Sequence, residues 1–242
     1  MTWPFENDTS GIVKRISNRS ISANRKRNIF IVLTIVLASA LLSAIVLYGF
    51  GVMQETQNRN QKTAQIMYHA ISEQQGQELY KQEEIAWVGE FFNAFSEQVN
   101  HSTVNFTYAN ADMLTSQSMP YSGDLPASEN EIVVQESFLD SLGYSNELGQ
   151  TIQIPFSDGT THDFKLTGIL DVKTGDIGRY TAIISKELVR QQYGDGGMID
   201  YYIGLKGAQN MSEEEATNYA NTLAQQLKIS DDNVIVRSTY FN

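Results

Sequence analysis

The sequence has no cysteine, which excludes both a disulfide framework and a thiolate metal site. Histidine is nearly as scarce. His69, His101 and His162 are the only three, and none stands within helical reach of another or of a glutamate at metal-ligand spacing. They read as solvated surface side chains, His69 on a stalk and His162 beside a hairpin turn. No Gly-x-Ser-x-Gly elbow is present. The nearest approach to a phosphate loop, Lys173-Thr174-Gly175-Asp176-Ile177-Gly178, has its order reversed, because a Walker loop needs glycines before its Lys-Ser/Thr pair. The acidic groups Asp158 with Asp163, and Asp231-Asp232-Asn233, lack the alternating oxygens of a calcium loop and read as turn and cap residues. These absences leave no catalytic, cofactor-binding or metal-binding residue to name, and the chain is expected not to be an enzyme.

A net positive charge is also missing from most of the chain. Residues 1–27 hold Lys14, Arg15, Arg19, Arg25, Lys26 and Arg27 against Glu6 and Asp8, a balance of +4, while everything later carries −15. So acidic a body is a poor partner for nucleic acid or anionic lipid. Between the two lies what the sequence does have: Ile29 to Val52, 24 residues without a charge, 15 of them Leu, Ile, Val or Phe. As a helix this run is about 36 Å long, enough to cross a hydrocarbon core of roughly 30 Å. Its aliphatic and Phe side chains contribute on the order of −5 to −9 kcal/mol to insertion. Thr34, Ser39 and Ser43 can bond back to helix carbonyls and do not undo that gain. A cleaved signal peptide fits less well: its apolar core is about 7–15 residues, and the one Ala-x-Ala pattern, Ala38-Ser39-Ala40, lies inside the run. Basic flanks stay cytoplasmic, so the expectation is a cell-membrane protein with its N-terminus inside and the residues after 53 outside.

Four regions follow. Residues 1–27 read as a cytoplasmic basic amphipathic segment: Asp8, Thr9 or Ser10 can cap a helix with Ile12, Val13, Ile16 and Ile21 apolar and Lys14, Arg15 and Arg19 basic, suited to the lipid interface. Residues 28–53 are the transmembrane helix. Residues 54–82 read as a stalk helix, polar and without proline, with a narrow stripe at Ile66, Met67, Ala70 and Ile71 and a break near Gly76. Residues 83–242 read as an extracytoplasmic α+β domain of mixed strands and helices. Within it the aromatic stretch Trp87–Phe95 reads as core, and Thr103–Tyr108 as a strand. Glu131–Gln135 is a strand running into a helix Ser137–Leu142 closed by Gly143. Thr151–Phe156 and His162–Leu170 form a hairpin, with Pro155 marking an edge. Strands at Tyr180–Ile184, Met198–Leu205 and Val234–Val236 enclose helices at Lys186–Tyr193 and after Ser212, whose capping box uses Glu215.

Three stretches carry a resemblance. The first is Asn7-Asp8-Thr9-Ser10, Ile12-Val13-Lys14-Arg15-Ile16 and Ala23-Asn24-Arg25-Lys26-Arg27-Asn28 entering the span. The second is Ser122-Gly123-Asp124-Leu125-Pro126 followed by Ser128 to Val134. The third is Leu142-Gly143-Tyr144-Ser145, Leu148-Gly149-Gln150-Thr151-Ile152 and, after the hairpin, Leu166-Thr167-Gly168-Ile169. Together they resemble the start of an FtsX-like/MacB-like permease subunit of an ABC transporter, of the type found in Gram-positive bacteria. The resemblance implies a MacB-like periplasmic core domain inserted after the first membrane helix, a separate cytoplasmic ABC ATPase as partner, a permease dimer, and work in export or cell-envelope signalling. It implies mechanical roles for Ile12, Val13 and Ile16 and for the stalk, and no cofactor. The family's pattern continues into further membrane helices, whereas this sequence ends at Asn242, so it is expected to be part of a longer subunit. A single-pass anchored sensor or binding protein has the same topology and is the alternative.

Overall fold

The computed structural model describes residues 9–172, 179–194 and 199–237, the side chains of residues 21 and 55–61 excepted. The segment 173–178, where the reversed phosphate-loop pattern falls, lies outside these residues, as do Asp8 and Met198. In chain order the elements are α1 (Ser10–Ala23), α2 (Arg25–Lys62), β1 (Ile66–Ile71), α3 (Glu73–Leu79), β2 (Ile85–Val99), β3 (Ser102–Ala109), α4 (Ala111–Ser116), β4 (Tyr121–Gly123), β5 (Glu131–Gln135), α5 (Glu136–Leu142), β6 (Thr151–Pro155), β7 (Thr161–Leu170), β8 (Arg179–Ile184), α6 (Lys186–Tyr193), β9 (Ile199–Leu205), α7 (Glu213–Leu227) and β10 (Val234–Val236). They divide into two units, residues 1–56 and 57–242.

The first unit is helical. Thr9 occupies the N-cap of α1, although its hydroxyl makes no capping bond. Ile12, Val13 and Ile16 are 60–64 % exposed on α1. In α2 the stretch Arg25–Gln54, whose most apolar window has a mean hydropathy of 2.9, is long and apolar enough to cross a membrane, and none of that window is buried among the described residues. Leu42, Ile45 and Leu47 each stand about two-thirds exposed, so this surface needs lipid or another helix to cover it. Thr34 donates to the Phe30 carbonyl at 2.8 Å and Ser39 to that of Val36 at 2.9 Å, which removes the cost of their hydroxyls in an apolar setting.

The second unit is built on one ten-stranded mixed sheet in the order β10-β1-β9-β2-β3-β8-β5-β7-β4, with β6 beside β4 along the outer edge of β7. The β3–β8 and β5–β7 pairs are parallel and the rest antiparallel. Helices α3 and α7 cover one end, where Ile66, Tyr68, Tyr201 and Ile203 meet Ala216, Ala220 and Leu223. Helices α5 and α6 cover the other, over Val104, Phe106, Ile132, Val134 and Leu166. Local signals account for much of this. The Ser212–Glu215 capping box starts α7, Gly143 closes α5 at φ +79°, and Ile152 and Phe164 face each other across the β6–β7 hairpin with Pro155 on the edge strand.

One expectation is corrected. The helix leaving the apolar stretch continues only to Lys62, not to residue 82, and Ile66–Ile71 is a strand between β9 and β10. Ile66, Tyr68 and Ile71 are buried. Ala70, at φ +50°, is a register irregularity that turns Ile71 back into the core. An alternating strand with one extra residue thereby reproduces the positions of a helical stripe. Burying Ile66 and Ile71 is worth about 1.5–3 kcal/mol each, which a lone polar stalk cannot recover. The α+β body therefore begins some twenty residues earlier than 83. Gly76, expected at a helix break, lies instead inside α3.

Candidate functional site

Glu90 sits in the middle of the aromatic run of β2 and is only 4 % exposed. A carboxylate so buried must be satisfied by donors, and three converge on it. Tyr80 Oη donates to its Oε1 at 2.9 Å, while Tyr108 Oη at 2.6 Å and Lys186 Nζ at 2.8 Å donate to Oε2. Burial, followed by the negative charge of Glu90, pushes both phenols well above the ordinary tyrosine range, so they stay protonated and donate at any physiological pH. Lys186 also lies 3.2 Å from Glu73 Oε1, and Glu73 in turn binds Arg190. Burial acts to raise the Glu73 carboxyl, but hydrogen bonds from Arg190 and Lys186 outweigh it and hold it below its usual range. With Glu187, 3.6 Å from Arg190, three acids face two cations.

The backbone around this cluster is tied in as well. Asn110 caps α4 by accepting from Met113 N at 2.9 Å, accepts from Glu90 N at 3.0 Å, and donates to the Val88 carbonyl at 2.9 Å. Tyr201, fully buried on β9, lies against Gly76, where an added Cβ would come within 2.0 Å of its ring. The cluster thus joins α3, β2, β3 and α6, and so both helical covers of the sheet. Its chemistry is that of a clamp. Each of its charges is met by an opposite one.

The residues singled out from the sequence are dispersed. His69 lies on β1, not on a stalk, with Nδ1 2.6 Å from Asp200 Oδ1 of β9. His101 occupies the β2–β3 turn at φ +65°. His162 is exposed, with its ring 4.3 Å from that of Phe156 and Nε2 3.1 Å from Thr160 Oγ1. Asp158 accepts from Thr160 N at 2.8 Å and Thr160 Oγ1 at 2.6 Å, the turn chemistry expected of it, and these bonds hold its carboxyl low. Among the described residues no three His, Cys, Asp or Glu gather as metal ligands. The aromatics of β2 are half-buried and pack against the core from its margin: Phe95 stacks on Phe106 at 4.6 Å and Phe92 meets Tyr193 edge-on. Reading by composition missed Glu90. The available signal was an acid placed inside an aromatic strand, which must have partners from elsewhere in the chain.

An exposed helix long and apolar enough to cross a membrane, followed by an α+β sheet body, is consistent with a membrane-anchored domain. The family model of the MacB-like periplasmic core domain matches residues 29–223, and the chain belongs to that family, a domain of ABC-transporter permeases. The extracellular domain of the noncanonic ABC-type transporter YknZ from Gram-positive bacteria has the same fold, with a TM-score of 0.51 at 10 % identity over 72 % of this chain and 100 % of that one. The periplasmic region of MacB from Actinobacillus actinomycetemcomitans gives a TM-score of 0.50 at 13 % identity, over 71 % of this chain and 86 % of its own. No curated protein matches in sequence.

Proposed function

We propose that this chain is the anchored, outer-domain-bearing part of an ABC-transporter permease, driven by a separate cytoplasmic ATPase and paired with a second permease copy, for export or for signalling at the cell envelope. The observation that carries the reading is the extent of the family match. It starts within the apolar run and continues through the sheet body, so helix and domain are matched as one unit. The +4 balance before the span and −15 after it support an N-terminus in the cytoplasm and a body outside. In this reading α1 is the cytoplasmic contact. Its exposed Ile12, Val13 and Ile16 accompany Lys14, Arg15 and Arg19, a composition suited to the lipid interface and to an ATPase surface. Movement of α2 would reach β1 after three residues and, at the start of α3, Glu73 with its ties to Lys186 and Arg190.

The test is co-purification from membranes of the source cell, with an ATP-binding subunit detected by photolabelling with an azido-ATP. Association is lost in Ile12→Asp/Ile16→Asp. Retained association in that variant overturns the role of α1, and no ATP-labelled partner for the unaltered chain favours the single-pass sensor. Protease added to intact spheroplasts removes a C-terminal tag and spares an N-terminal one; the converse overturns the orientation.

A further inference from the structure

Along one face of the β2–β3 ladder three directly opposed pairs are polar and uncharged: Gln98 with Thr103, Ser96 with Asn105, and Asn93 with Thr107. Two of them close on themselves. Gln98 Nε2 donates to Thr103 Oγ1 at 2.8 Å, and Ser96 Oγ to Asn105 Oδ1 at 2.7 Å. The third pair stays open. Thr107 is 94 % buried and its hydroxyl meets no partner among the described residues, an arrangement that costs stability unless something else uses the group. Beside it the ladder slips register between Asn93 and Phe95, a bulge of the kind that re-aims side chains next to binding sites.

Asn93 and Thr107 line a cavity of about 240 Å³. At roughly 30 Å³ per molecule of liquid water it has the volume of about eight waters. Asn105, Gln117 and Thr181 add neutral polar groups to its wall, and Phe91 and Met119 add apolar ones. None of its lining residues is charged.

We propose that this cavity binds a neutral carbohydrate unit bearing an acetamido group. Ions are poor candidates, because no opposite charge lines the cavity to repay their desolvation. The side-chain amides and hydroxyls are donors and acceptors at once, which is what sugar hydroxyls and an acetamido N–H and C=O require. The apolar wall suits a methyl group and the C–H face of a ring. Thr107 is the most buried polar side chain of the wall. This inference goes beyond the permease reading and does not rest on it, since binding is measured with no ATPase present.

The full-length chain in detergent micelles is titrated with tri-N-acetylchitotriose and followed by calorimetry and by saturation-transfer NMR. Saturable binding is expected, with cellotriose, which lacks the acetamido groups, weaker by about tenfold. Thr107→Val weakens binding by a similar factor while raising the thermal midpoint, since it removes an unsatisfied hydroxyl; that rise separates lost binding from lost folding. Asn93→Ala, at an exposed position, weakens binding likewise, and Gln98→Ala, whose pair lies outside the cavity wall, leaves it unchanged. Absence of saturable binding, equal binding of the two sugars, preference for the neutral peptide N-acetyl-trialanine amide, or undiminished affinity in both Thr107→Val and Asn93→Ala would each overturn the proposal.

Discussion

Lys186 Nζ approaches Glu90 Oε2 to 2.8 Å, with 18 % and 5 % of the two side chains exposed, which ties α6 to β2, and the same ammonium reaches Glu73 of α3 at 3.2 Å, which links the two helical covers of the sheet. Removing one partner of such a pair strands the other charge in the interior. Glu90→Gln and Lys186→Met are each expected to cost about 3–5 kcal/mol in urea unfolding of the chain in detergent. The double variant loses less than the sum, because neither charge is then left alone. Equal, additive losses would mean that the pair does not act as a unit.

Stability should be flat through neutral pH and fall in acid. The Glu73 carboxyl is held low by Arg190 and Lys186 against the effect of burial, and that of Glu131 by the backbone amides of Ala127 and Ser128 and then by Lys165. Their folded values lie below their ordinary 4.5, so the folded chain binds fewer protons than the unfolded one. The stabilisation is complete above that value and disappears as pH drops through the folded values. A urea midpoint that declines only below about pH 4.5, with a shallower decline in Glu131→Gln, is the expected record. A midpoint falling already between about pH 7 and 5 would assign the acid sensitivity to other groups.

Strand β1 can be distinguished from a stalk helix in solution. Its backbone is paired on both sides, Ile66 with Val236 and Ile203, so amide exchange in residues 66–68 should be as slow as in β9. Ile66→Ala should cost about 2–5 kcal/mol, as for other buried large-to-small changes. Fast exchange over 66–71 would restore the helical stalk.

The same segment explains what was legible in the sequence. Caps and turns are local, so α7 with its Ser212–Glu215 box, α5 with Gly143 and the β6–β7 hairpin could be placed from a few adjacent residues. The long apolar helix was legible because its length and apolar content are themselves the signal. Strand β1 was not, since its partners lie some 130 or more residues further along and its irregularity at Ala70 imitates a helical stripe. Nor was the clamp: Glu73, Glu90 and Lys186 belong to three separate elements, and only the tertiary fold brings them together. In β2, aromatics on both faces erase the alternation that would mark a half-buried strand.

Gly76 offers the sharpest test of packing beside the clamp. In an exposed helix Gly→Ala gains about 1 kcal/mol from propensity. Here a Cβ would fall 2.0 Å from Tyr201 Cζ and 2.2 Å from its oxygen, on a ring that is fully buried and has no room to withdraw. Overpacking of that kind costs about 1–3 kcal/mol or more, so Gly76→Ala should lower the thermal midpoint despite the better helix former. Tyr201→Phe removes a buried hydroxyl that has no partner among the described residues and should be neutral or stabilising. Combining Gly76→Ala with Tyr201→Leu should recover part of the loss, because the smaller side chain vacates the space the methyl enters. If Gly76→Ala alone raises the midpoint, Tyr201 does not press on α3, and the contact that joins α3 to β9 has to be sought elsewhere along the helix.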